Sequence, residues 1–130
     1  MIARRFYIEL GKLLYAIADI DGAISEKERI ALKQSVKDEL LPLENYNDEY
    51  GTDLAYYTEF EFDFLDENRP DPETALDSFL NFIQEYKYSF DDKLKNVCMK
   101  LSTGLASSFH GINSKEKKLL DRVKSELDSL

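Results

Sequence analysis

Apolar residues recur along most of this chain at intervals of three and four. Phe6, Leu10, Leu13, Leu14 and Ile17 form one face of a helix with a 3.6-residue period, predicting a first helix over about residues 2–20. Ser25 followed by Glu28 is a capping box, in which the hydroxyl takes the third amide of a new helix and the carboxylate reaches back to the cap. A second helix therefore starts at Glu26 and carries Leu32, Val36 and Leu40 on one face. It ends before Pro42, because the residue preceding a proline resists the α region.

The next stretch, PLENYNDEYG, reads as a loop, and residues 53–66 are ambiguous. Phe60, Phe62 and Phe64 alternate as in a strand, whereas Leu54, Tyr57, Phe60, Phe64 and Leu65 fit a helix. Helix is preferred, since Thr52 or Asp53 supplies a cap and no second strand exists for pairing. Asp71 before Pro72 marks another start, with proline at the first helical position, and Leu76, Phe79, Leu80, Ile83 and Tyr86 follow on one face. A further helix begins between Ser89 and Asp92 and uses Leu94, Val97, Cys98, Leu101, Leu105 and Phe109. The last opens at Ser114 and carries Leu119, Leu120, Val123 and Leu127. Five or six helices without a convincing strand predict an all-α bundle, and 130 residues make a single domain spanning 1–130.

IDGAISEKERI at 20–30 and FHGINSKEKKL at 109–119 align without a gap, 89 residues apart. Only the glycine and the serine are identical, but each segment follows a long amphipathic helix. The chain must stop, turn and restart there, for which glycine accepts left-handed geometry and serine caps the new helix.

Composition narrows the function classes. The chain carries 26 acids against 17 bases, a net charge of −9. Residues 38–86 hold fifteen of the acids and one base, Arg69. Such a field repels phosphate backbones and argues against nucleic-acid binding. It attracts cations or a basic protein surface; its plainer reading is a solvated face. Cys98, the single cysteine, has no disulfide partner and reads as a small buried hydrophobe on a helix; this fits a reducing, cytoplasmic setting. Glu9 and Lys12 interrupt the apolar N-terminal stretch, so it is neither a signal peptide nor a membrane span. No Ser or Cys has a His within a recognisable catalytic motif, and GxSxG and Walker A patterns are absent, so no enzyme is expected.

Candidate chemistry concentrates in IADIDGAISEKE, residues 17–28. Laid onto a calcium-binding EF-hand loop, Asp19, Asp21, Gly22, Ser25 and Glu28 fall at positions 3, 5, 6, 9 and 12. Ile17 then occupies the first ligand position, where it supplies no oxygen. A degenerate calcium-responsive helix pair is accordingly the runner-up. The same three carboxylates, Asp19, Asp21 and Glu28, are the candidate ligands for a divalent cation, calcium or magnesium. Their alternative roles are a turn residue for Asp21, a capping box for Glu28 and a solvated helix position for Asp19. His110, the sole histidine, reads as a turn residue, with no second His or paired Cys to complete a zinc site.

Residues 46–90 contain twelve of the sixteen Phe and Tyr. Tyr46, Tyr50, Tyr56, Tyr86 and Tyr88 either line a binding surface or fill the core, and Phe60, Phe64, Phe79 and Phe82 are assigned to the core.

A helix ending in AIADIDG, then ISEKE and a second helix, with a weaker later copy in ASSFHGINSKEK, resembles the TerB-like family. That family is named for a tellurite-resistance protein and is also represented by the N-terminal domain of a membrane-anchored DnaJ-type co-chaperone. The resemblance implies an all-helical fold with a pseudo-two-fold repeat of helix pairs. It also implies an acidic cluster for metal ions and a role in stress response or complex assembly rather than catalysis. Carried onto this chain, the acidic positions are Asp21 and Glu28, with Asp19 beside them. In the second copy His110 and Lys117 stand in the acids' places, a departure that puts any site needing carboxylates from both copies in doubt.

Overall fold

In the computed structural model, residues 3–20, 22–42, 53–108 and 112–130 are described, Ala3 by its backbone alone. Six helices make up this part: α1 (Ala3–Asp19), α2 (Glu26–Ser35), α3 (Tyr56–Asn68), α4 (Pro72–Glu85), α5 (Asp92–Ala106) and α6 (Ser114–Asp128). A π-helical turn, Val36–Leu40, continues α2, and a 3-10 turn, Lys87–Ser89, separates α4 from α5. No strand occurs among the described residues, so the fold is all-α. Phe109 and most of the loop expected after Leu41 lie outside them.

Helix α1 is the axis of the bundle and packs against α3, α4 and α5. Its sequence allows this because the apolar residues reach beyond one stripe: Phe6, Tyr7, Leu10, Leu13, Leu14, Tyr15, Ala16, Ile17 and Ala18 are all buried. A helix apolar around most of its circumference is driven to the centre. Its closest approach to a neighbour is at Gly11, where a Cβ would sit 2.7 Å from the Thr58 carbonyl oxygen and 2.9 Å from Glu61 Cβ. In the same crossing the Thr58 hydroxyl donates to the Tyr7 carbonyl at 2.7 Å. The absence of a side chain at Gly11 sets how near α3 lies.

Residues 57–65 are helical, as the sequence predicts, but the inward face of α3 is not the expected one. Thr58, Phe62 and Leu65 point to α1, whereas Phe60 and Phe64 are 51% and 59% exposed. The spacing i, i+4, i+7 selects a single stripe, and once Thr58 bonds α1 that stripe passes through Phe62. Phe79 and Phe82 are buried in α4, as expected.

The starts of α2 and α6 correct the register of the internal repeat. Ser25 caps α2 in a capping box with Glu28, and the box at α6 is formed by Asn113 and Glu116 rather than by Ser114. The two boxes are 88 residues apart, not 89. In that register Leu13, Ala18, Ile24, Lys27, Glu28 and Leu32 pair with the identical Leu101, Ala106, Ile112, Lys115, Glu116 and Leu120. Glu116, not Lys117, therefore matches Glu28, so the second copy keeps this acid. Each capped helix reaches the other unit's long helix, α2 packing on α5 and α6 touching α1.

Candidate functional site

The turn after α1 brings together residues distant in sequence. Helix α1 ends at Asp19, and Gly22, with φ of 93°, returns its amide to the Asp19 carbonyl at 2.9 Å. Helix α3 ends beside it at Arg69, which adopts left-handed geometry (φ 54°, ψ 51°) and donates its amide to the Leu65 carbonyl. Arg69 Nη2 lies 2.7 Å from Asp19 Oδ1, and Nη1 lies 3.1 Å from Asp66 Oδ1. Arg29 of α2 approaches Asp66 from the other side, Nε to Oδ2 at 2.7 Å. The Tyr15 hydroxyl is 2.6 Å from the Pro70 carbonyl and 3.2 Å from Asp19 Oδ2. Two carboxylates, two guanidiniums and a phenol thus tie the ends of α1 and α3 to the start of α2.

The electrostatics follow from these contacts. Hydrogen bonds from Arg29, reinforced by the charge of Arg69, hold the Asp66 carboxyl below its ordinary pKa. Burial, with the neighbouring Asp19 charge, pushes the Tyr15 phenol up to about 12. Both shifts stabilise the protonation states that the network uses at neutral pH.

Of the three carboxylates proposed as cation ligands, two are placed. Asp19 is 8% exposed and is bound by Arg69 and Tyr15, a buried carboxylate rather than the solvated position its sequence context allowed. Glu28 accepts the Ser25 amide at 3.0 Å, and the Ser25 hydroxyl accepts the Glu28 amide at 3.1 Å. Asp21 and His110 lie outside the described residues. Among the described residues no three His, Cys, Asp or Glu side chains gather as a metal site. The EF-hand reading meets a further obstacle in Ile17, fully buried in a helix that continues to Asp19. Cys98 is fully buried, and burial pushes its thiol up to about 12, which leaves it no thiolate for chemistry.

A different surface stands out on α3. Phe60 and Phe64, one turn apart, project into solvent beside Ile8 and Tyr57, bordering a groove of about 290 Å³. Tyr56 and Tyr57 pack on the Phe60 ring, with centroids 6.5 and 5.6 Å away, and the Arg4 guanidinium lies 5.3 Å from the Tyr57 centroid. Asp63 and Glu67 flank the phenylalanines on one side and Glu61 on the other. Burial raises the pKa of Glu61.

Twelve acids of the block are described, and five of them pair with distant bases. Glu39, Asp66, Glu73, Asp77 and Glu85 pair with Lys100, Arg29, Arg122, Arg122 again and Arg5, bases lying outside the block in sequence. Glu59, Glu61, Asp63 and Glu67 form no ion pair with any described residue, and all four belong to α3. Four of the acids without an ion pair thus lie on the helix that carries the exposed rings, while Asp38, Asp53 and Asp71 lie outside it. Of the tyrosines read as a binding surface, Tyr88 is 94% exposed and Tyr56 and Tyr86 are half-buried; Tyr46 and Tyr50 lie outside the described residues.

Sequence reasoning missed Arg69 as a structural partner, although it is the only base among fifteen acids and so the one available counter-ion there. Among the described residues no helix is long and apolar enough to cross a membrane. Comparison with protein-family models, curated proteins and solved structures finds no match to this chain.

Proposed function

We propose that this chain is a non-enzymatic, TerB-like helical module that binds a partner protein through the outer face of α3, and that the partner presents a basic, amphipathic helix. The observation carrying this reading is the coincidence on one helix of two exposed phenylalanines with four unpaired carboxylates. Exposed aromatic side chains in a contiguous patch mark interaction surfaces, and aromatic residues dominate interface energetics. The mainly acidic rim, with Arg4 over Tyr57 its basic exception, selects cationic partners and accelerates their encounter. A stress-response or complex-assembly role, as the TerB-like resemblance implies, is consistent with such a module. A divalent cation has no part in this reading, since Asp19 is committed to Arg69 and Glu28 to the cap.

The test uses a synthetic helical peptide with leucine on one face and lysine on the other. Its binding should saturate and weaken with salt, and it should fall at least about tenfold in Phe60→Ala/Phe64→Ala, because each lost aromatic anchor costs more than about 1 kcal/mol. Thermal stability of the double variant should be nearly unchanged, both rings being exposed. Equal affinity of wild type and variant would remove α3 as the working surface.

A further inference from the structure

A second surface of the same chain complements the α3 face. Ile20, Leu76 and Leu119 floor a shallow depression of about 410 Å³ between the end of α1, α4 and α6, and Lys115, Lys118, Arg122 and Glu73 rim it. Leu76 and Leu119 are buried, and Lys115 and Lys118 are exposed and form no ion pair with any described residue. Arg122 reaches Glu73 at 3.4 Å and Asp77 at 3.7 Å.

Resting on the reading of α3 as the docking face, we infer that its occupant is a second copy of this chain, with the Phe60–Phe64 ridge of one molecule seated in the α4–α6 depression of the next. Three features fit. One surface is a ridge of two rings and the other an apolar hollow, so each offers the shape the other lacks. Their charges are opposite: Glu59, Glu61, Asp63 and Glu67 flank the ridge, while at the hollow Arg122 is balanced by Glu73 and Asp77 and the charge left over is that of Lys115 and Lys118. Their lengths match as well. At about 1.5 Å per residue, Lys115 to Arg122 spans roughly 10 Å of α6 and Glu59 to Glu67 roughly 12 Å of α3. The two surfaces share no residue, so one molecule can use both at once. The contact is heterologous and joins molecules head to tail, producing a chain or a closed ring rather than a two-fold dimer.

Sedimentation velocity on the full chain and two variants tests this. Wild type should form species larger than a dimer at about 0.1 M salt and dissociate toward monomer at about 1 M, where the screening length falls from roughly 10 to 3 Å. Phe60→Glu/Phe64→Glu removes only the ridge and Lys115→Glu/Lys118→Glu only the hollow, so each alone should be monomeric. Mixed in equal amounts they retain one intact ridge and one intact hollow and should form a dimer that grows no further. A monomeric wild type at every concentration, a hollow variant that still polymerises, or a mixture that stays monomeric would each overturn the inference. The hollow variant keeps its α3 face; if it binds the basic peptide while wild type fails to self-associate, the partner is foreign and the docking face stands.

Discussion

Arg69 ends helix α3 in a left-handed conformation and sets its guanidinium 2.7 Å from the Asp19 carboxylate, fifty residues earlier in the chain. One residue thus performs two tasks with opposite energetic signs, since a left-handed non-glycine residue costs about 1–2 kcal/mol and the charged bond to a buried carboxylate offsets it. Arg69→Ala keeps the strain, loses the bond and should destabilise by about 1–3 kcal/mol, the penalty for an unsatisfied buried polar group. Arg69→Gly loses the bond but also the strain, and should be the milder change by about 1 kcal/mol. Urea melts of the three proteins check this; a glycine variant no better than the alanine one would contradict the strain.

The same pairing predicts the response to metal. A cation at Asp19 must displace Arg69, and one at Glu28 must break the capping box. Thermal midpoints with chelator and with millimolar calcium or magnesium should therefore coincide, in wild type and in Asp21→Ala alike. A rise with either ion would show that binding is linked to folding and would restore Asp19, Asp21 and Glu28 as ligands.

Gly11→Ala should cost about 1–3 kcal/mol, the range for overpacking a filled interior. The added methyl meets backbone, the Thr58 carbonyl, as well as Glu61 Cβ, so no side-chain rotation relieves it. Chemical denaturation measures the loss, and nuclear magnetic resonance shifts concentrated on α1 and α3 would locate it.

The 88-residue register makes a prediction at single-residue resolution. Ser25→Ala and Asn113→Ala should each cost about 0.5–2 kcal/mol, the range for a lost cap, whereas Ser114→Ala, one position later, should be close to neutral. Comparable losses at Asn113 and Ser114 would argue against the box assigned to α6.

Two groups of the turn contribute to the pH dependence with opposite signs. Tyr15 has its pKa raised to about 12, so its contribution is complete below the ordinary tyrosine value of about 10 and is lost as pH climbs from there through 12. Asp66 has its pKa lowered, so its contribution is present above the ordinary carboxylate range and fades as pH falls through that range toward its folded value. Stability against pH should therefore lose part of its alkaline fall in Tyr15→Phe, the Cys98 thiol supplying another part, and part of its acid fall in Asp66→Asn. A Tyr15→Phe curve parallel to wild type above pH 10 would contradict the first assignment.

Much of this fold is written locally. Ser25 with Glu28, Asp71 before Pro72 and the 3.6-residue spacing in α1, α4 and α6 act between residues a few positions apart, so their helices were readable without a tertiary structure. Helix α6 shows the limit of that reading: Asn113 and Ser114 are adjacent capping types, and only the geometry of the chain entering the helix selected Asn113. Helix α3 shows a larger one. Six apolar or aromatic residues surround it, Tyr56, Tyr57, Phe60, Phe62, Phe64 and Leu65, so no single stripe announces itself. The approach of Gly11 and the Thr58 bond to α1 chose Phe62 for the core and left Phe60 and Phe64 outside. The acidic turn was visible as a cluster, yet its chemistry depended on charges no local rule brings near. Sequence determined that Asp19 lies in the last turn of a helix; the packing of α3 across α1 decided that its carboxylate faces Arg69, because an ion pair between distant residues exists only where folding has already placed them together.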